Sequence, residues 1–158
     1  MLALDLATAT GWALLDAQGA VTSGVQAFPM RRGESPGMRW LRFGAWVREI
    51  VRLGGLAAGD VIAYEQPLSA HRGGAAAQVA HGLATKVQEV AADLGLELSC
   101  VGPAALKKHA TGRGNAKKPQ MIDAARARWP GQAIEDDNQA DALLVLAWAL
   151  EDVGEVAA

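Results

Sequence analysis

Four carboxylates in this sequence stand where a carboxylate is costly. Asp5 closes the apolar run LAL, and Glu65 closes VIAY. A charged acid at the end of a buried strand is expensive unless it is paired, hydrogen-bonded or metal-bound. In DDNQADALLVLAWAL, Asp137 and Asp141 are four residues apart and share one helical face. Leu144, Val145 and Trp148 continue that face and are apolar, which carries Asp141 to the core side of its helix. Capping accounts for at least one of the residues Asp136–Asn138, because a helix N-terminus favours negative charge. It does not account for Asp141, one turn further in. Three or four converging carboxylates with no arginine beside them call for a hard divalent cation, and all-oxygen ligation suits Mg²⁺.

The charge distribution supplies a second clue. The chain has 158 residues and a net charge of −2. Residues 100–133 carry seven Lys and Arg against Asp123 alone, whereas residues 134–158 carry seven acids and no Lys or Arg. A basic block next to an acidic one suggests a polyanion held beside a carboxylate cluster. His71 and Arg72 follow the Glu65 run in a Gly-rich stretch able to approach a nucleic-acid backbone.

These residues need elements to hold them. Leu2–Asp5, Gly11–Leu15 and Ala20–Phe28 read as three antiparallel strands, the last two joined by the turn DAQG. Ser35 then Pro36 reads as an N-cap and first helical residue, opening a helix to about Leu53. Its buried face is Trp40, Phe43, Val47 and Ile50. Val61–Tyr64 is a continuous apolar run, the pattern of a central strand buried on both faces. A second helix spans about Ala75–Leu94, with the stripe Val79, Leu83, Val87, Val90 and Leu94. Leu96–Val101 is a fifth strand, Leu106 to about Trp129 a helix, loop and helix, and Asn138–Leu150 the last helix. The order implies an α/β fold with a mixed five-stranded sheet, three antiparallel strands then parallel ones, and helices on both faces. Two strands ending in acid at one edge of such a sheet point to the place where α/β proteins bind ligands.

Composition excludes other classes. Hydrophobic residues make up 51% and charged residues 20% of the chain, which fits a single packed domain over residues 1–158. A lone cysteine, Cys100, excludes an intramolecular disulfide and reads as a small buried hydrophobe. Three histidines, 71, 81 and 109, lack the paired spacing of a zinc site, and the five tryptophans read as packing residues. No apolar stretch is long enough to span a bilayer, and Asp5 interrupts what could be a signal segment. A cytoplasmic protein is the expectation.

The motifs LDLATATGW, RRGESPGMRWLRF, YEQP, HRGGAA, LKKHATGRGNAKKPQM and DDNQADAL, in this order, resemble the RuvC-like Holliday junction resolvases. The resemblance is to their phage and prophage branch, within the RNase H-like superfamily, and covers most of the chain. It implies a five-stranded mixed sheet with helices on both sides. It also implies a catalytic set of one acid on the first strand, a Glu ending the fourth, and two ligands starting the last helix. Asp5, Glu65 and Asp141 match directly. The remaining position falls on Asn138, so either the Asn138 amide oxygen ligates or Asp137 takes the role.

The same resemblance places Lys107, Lys108, Lys117 and Lys118 near the scissile phosphate, with Lys108 and Lys118 as catalytic candidates and Arg113 among the DNA contacts. A lysine there neutralises charge developing on a phosphoryl oxygen. Pro67–Leu68 stands where such enzymes carry an aromatic wedge. The implied activity is Mg²⁺-dependent hydrolysis of four-way or branched DNA, with two Mg²⁺ ions per site and Mn²⁺ able to substitute. The implied assembly is a nucleoid-associated homodimer of bacterial, phage or prophage origin, acting in recombination, repair or phage DNA processing. Other readings remain: an RNase H-like nuclease on other branched DNA or RNA, or a non-catalytic DNA-binding module. DLATATG also looks like the phosphate loop of actin-like ATPases and sugar kinases, which need two such domains.

Overall fold

In the computed structural model the elements run β1 (Leu2–Asp5), β2 (Ala9–Leu15), β3 (Val21–Ala27), α1 (Gly37–Leu53), β4 (Val61–Glu65) and α2 (Ala70–Leu94). They continue with β5 (Glu97–Val101), α3 (Pro103–Thr111), α4 (Lys118–Arg128) and α5 (Asp137–Val156). The structure describes residues 1–67 and 70–156, with the backbone alone for 70–73 and 153–156. The order matches the expected one throughout.

The five strands form one sheet in the order β3-β2-β1-β4-β5. β1 pairs antiparallel with β2 and parallel with β4; β2–β3 is antiparallel and β4–β5 parallel. Alternation along each strand divides the interior in two. Leu2, Leu4, Leu14, Ile62 and Tyr64 face α1 and α2, packing on Phe43, Val47, Leu83 and Val87. Ala3, Ala13 and Ala63 face the other way, onto α5 and its neighbours Leu106, Met121 and Ala125. Three alanines on that face keep it shallow. The buried stretch 142–147 of α5 therefore lies close against the sheet.

Several local expectations are corrected. Cys100 is exposed, not buried, because β5 is an edge strand whose α2-side face is poorly covered; Leu98 beside it is 44% exposed. Leu94 also leaves the buried stripe at 37% exposure, since Ala91 and Leu96 close that end of the core. The cap of α1 is Pro36, and Ser35 sits just outside it, its Oγ accepting the Gly37 N–H at 3.3 Å. α2 begins at Ala70, five residues early, but its path breaks at Gly74 (φ 54°, ψ −141°) before the continuous helix starts. That left-handed φ is one only glycine adopts freely. The tryptophans do pack, as expected: Trp12, Trp40 and Trp46 on one core, Trp129 and Trp148 on the other.

Candidate active site

Strand parity brings the first two acids together. Asp5 follows Ala3 on β1, and Glu65 follows Ala63 on β4, so both lie on the α5 face of the sheet. The parallel register pairs Ala3 with Ala63 and Leu4 with Tyr64. The next step aligns Asp5 with Glu65 on adjacent strands, roughly 4.8 Å apart along the sheet. Both strands end there, at the carboxyl edge of the parallel sheet.

The helix bearing the other two acids is set down by a contact with no side chain in it. Gly11 on β2 pairs with Asp5 on β1. A Cβ built at Gly11 would stand 1.9 Å from the Asn138 carbonyl oxygen and 2.3 Å from its carbon. Only glycine lets the first turn of α5 meet the sheet at this point. Polar ties fix the rest of the approach. Buried Gln139 donates from Nε2 to Ser23 Oγ and to the Ala133 carbonyl, each at 3.0 Å, and Gln132 Nε2 donates to the Val21 carbonyl at 2.8 Å. Asp136 stands just before α5, and its Oδ1 accepts the Asn138 backbone N–H at 2.8 Å and the Asn138 amide Nδ2 at 2.9 Å. That orientation leaves Asn138 Oδ1 without a role in the cap.

The resulting electrostatics are those of crowded carboxylates. Burial first, then Asp141, Glu65 and Asp137, push the Asp5 carboxyl from an ordinary 3.8 up to about 8. Burial and Asp141 raise Glu65 to about 7, and burial and Asp137 raise Asp141 to about 6. Asp137 behaves differently. It pairs with Lys118, which holds its carboxyl below the usual range. Lys118 also opposes the repulsion at Asp5 and Asp141, and Lys107 opposes it at Glu65 and Asp141. Among the described residues no three acid, His or Cys side chains gather closely enough, as they stand, to hold an ion. The donor chemistry nevertheless fits a hard divalent cation: oxygen ligands only, under mutual repulsion, with Asp5 and Glu65 lining a cleft.

That cleft has a volume of about 370 Å³. Asp5, Glu65 and Gln66 stand beside Leu6, Pro67 and the small residues Ala76, Ala77 and Ala80 of α2.

The basic candidates divide into two groups. Lys107 and Lys118 lie near enough to the acids to act on their charge. Lys108, Arg113 and Lys117 lie on α3 and the loop before α4, and no effect on the acids connects them to the cluster. His71 and Arg72 have side chains outside the described residues. His109, without an evident partner in the sequence, pairs with Glu151 at 2.8 Å, and Arg128 pairs with the same carboxylate. Glu151 on α5 thus ties α3 and α4 down together. Two residues that shape the site, Gly11 and Gln139, were missed at the level of sequence. Gly11 had a legible signal, since glycine inside a strand marks a close backbone approach. Gln139 had none, because the bond that ties it to the sheet is to Ser23, more than a hundred residues away.

No family model and no curated protein matches the sequence. The fold does match solved structures. Thermus thermophilus RuvC superposes with a TM-score of 0.68 at 20% identity, over 92% of this chain and 90% of that one. T. thermophilus RuvC in complex with a Holliday junction substrate gives 0.70 at 19% identity, over 91% and 88%. The yeast mitochondrial Holliday junction resolvase gives 0.55 at 14% identity, over 91% of this chain and 74% of that one. The chain therefore has the RNase H-like fold of the RuvC resolvases.

Proposed function

We propose that this chain is a structure-selective endonuclease that resolves four-way DNA junctions by Mg²⁺-dependent phosphodiester hydrolysis. One observation carries the reading. On a fold shared with RuvC, three separate elements deliver Asp5, Glu65, Asp137 and Asp141 to one sheet edge, beside Lys107 and Lys118. Asp5, Glu65 and Asp141 would hold the metal, with Asp137 as the fourth ligand because an anion suits a hard cation better than an amide. Asn138, through its Oδ1, is the alternative. When bound, a metal pair supplies an activated water and stabilises the leaving 3′ oxygen. The products would be a 5′-phosphate and a 3′-hydroxyl.

The chain's own contribution is placement. β1 and β4 fix two acids rigidly, and the Gly11 contact fixes α5 against them. Lys107 and Lys118, whose charges already act on the acids, would meet the charge of the phosphate. Lys108, Arg113 and Lys117, with His71 and Arg72, would hold the backbone. A symmetric junction needs two cuts, which favours a homodimer with two sites. A bacterial, phage or prophage setting in recombination, repair or DNA processing suits this activity. Pro67–Leu68 in place of an aromatic favours a second reading, a nuclease on other branched DNA or RNA.

A nicking assay on four-way junctions, linear duplex and RNA–DNA hybrid, with and without Mg²⁺, tests the reading. Metal-dependent cuts in the junction alone are expected. Asp5→Asn, Glu65→Gln and Asp141→Asn should each abolish cutting and leave binding largely intact, because affinity comes mainly from phosphate contacts. Near wild-type cutting in any of the three removes that residue from the site.

A further inference from the structure

The basic block on α3 and α4 flanks the acids on one side only. The opposite flank is the segment from Phe28 to Trp40, leading from β3 into α1. β3 runs parallel to β1, since both pair antiparallel with β2, so β3 ends at the same sheet edge as Asp5. The Phe28 N–H donates to the Thr8 carbonyl at 2.7 Å, tying this segment to the loop that lines the cleft beside Asp5.

The segment holds Arg31, Arg32 and Arg39, with Glu34 its single acid. Glu34 is already engaged. It accepts the Arg31 backbone N–H at 3.0 Å and pairs with Arg42, whose second nitrogen donates to the Pro29 carbonyl at 2.7 Å. These bonds hold the loop in shape. Among the described residues Arg31, Arg32 and Arg39 enter no ion pair. Arg31 and Arg32 are exposed, and Arg39 has its guanidinium 5.9 Å from the centre of the Trp40 ring. The first turn of α1, a 17-residue helix, opens at the same place and contains no acid. Its N–H groups and dipole add to the positive field.

The sheet order sets the spacing. β3 and β5 are its two edges, with three strands between them and Asp5 on the middle one. Two strand intervals separate the end of β3 from Asp5, roughly 10 Å along the sheet edge. α3 and α4 pack on one face of the sheet and α1 on the other, so the two cationic flanks meet separate stretches of backbone.

We propose that the β3–α1 segment is a second phosphate-binding surface, contacting through Arg31, Arg32 and Arg39 a different arm of branched DNA from the one held by α3 and α4. This rests on the reading of the chain as a branched-DNA enzyme. Two cationic surfaces on either side of one acid cluster select a substrate whose backbone leaves the site in two directions. A linear duplex engages one of them. The recognition is of shape and not of sequence.

The test compares wild type, R31E/R32E and R52E, with folding checked by circular dichroism. Arg52 sits at the far end of α1, paired with Glu49. Binding to a four-way junction and to a linear duplex of equal length is measured without Mg²⁺, from low to moderate salt. R31E/R32E should lose at least tenfold in junction affinity and lower the salt slope by about 2. Its duplex affinity should fall much less, and R52E should resemble wild type. Equal losses on junction and duplex, equal losses in R31E/R32E and R52E, or an unchanged salt slope in R31E/R32E would each overturn the proposal. The broader reading fails separately, through a wild type that neither prefers junctions nor cuts them. If R31E/R32E proves unfolded, R32Q takes its place, with half the change in slope expected.

Discussion

Asp5 carries the strongest combination of burial and like-charge crowding in the site, and this has a consequence for stability. Below about pH 4 the folded and unfolded chains both hold its proton. Between its ordinary value of 3.8 and the folded value of about 8, the unfolded chain releases the proton while the folded chain keeps it. Stability from this group therefore falls as pH rises through that window, and levels off above it. Glu65 and Asp141 act in the same direction. Metal-free Asp5→Asn should consequently melt above wild type at pH 8, by about 2–4 °C per kcal/mol gained, and match it near pH 4. Thermal melts across pH, in chelator, check this. The fourth ligand is a second question at this scale. If Asp137 ligates, Asp137→Asn should lose as much activity and Mg²⁺ affinity as Asp141→Asn. Asn138→Ala should then cost little beyond its side-chain hydrogen bond to Asp136, about 1 kcal/mol. Metal titrations on these variants decide, and full activity in Asp137→Asn would assign the role to Asn138. Asp5, Glu65 and Asp141 were legible in the sequence because a charge closing an apolar run or sitting on an apolar helix face needs a partner. The choice between residues 137 and 138 was not, because it depends on side-chain direction. Asp137 turns toward Lys118 and Asn138 toward Asp136.

At the scale of elements, periodicity supplied the order of strands and helices, and parity explains why the acids share a face. What it could not supply was exposure at the sheet's margin. Whether Leu98 and Cys100 are covered depends on how far α2 reaches over β5, which no local pattern encodes. The polar ties around α5 were equally hidden. Gln139 is buried and bonds to Ser23, the Ala133 carbonyl and the Glu135 N–H. Gln139→Ala should leave these groups short of partners and cost about 2 kcal/mol. A structural effect alone would lower the melting temperature and nothing else. Loss of positioning should also weaken Mg²⁺ binding at a temperature where the variant is fully folded. Calorimetric titration with Mg²⁺ separates the two results.

For the molecule as a whole, the uneven charge matters more than its small net value. A protein of net charge −2 is not expected to bind nucleic acid through its overall field, so affinity must come from local cationic surfaces. Junction binding should weaken steeply with salt, and charge reversal at Arg113, Lys117 and Lys118 should weaken it for every junction sequence alike. Binding isotherms at several salt concentrations give the slope. A flat dependence would make the basic block a solubility feature. No helix among the described residues is long and apolar enough to cross a membrane, in keeping with the sequence reading.

The contact at Gly11 governs how this protein tolerates change. The spacing between the strand acids and the helix acids depends there on two backbones touching, so no neighbouring side chain can be trimmed to compensate for an added methyl group. Gly11→Ala should cost about 3 kcal/mol or more and reduce cleavage even where the protein still folds. In a saturation library at positions 10 to 12 selected for cutting, position 11 should return glycine alone, while half-buried Trp12 accepts other apolar residues. Recovery of active clones carrying Gly11→Ala would show that α5 can retreat without separating the acids. An engineer seeking a wider metal site would then have one residue at which to begin.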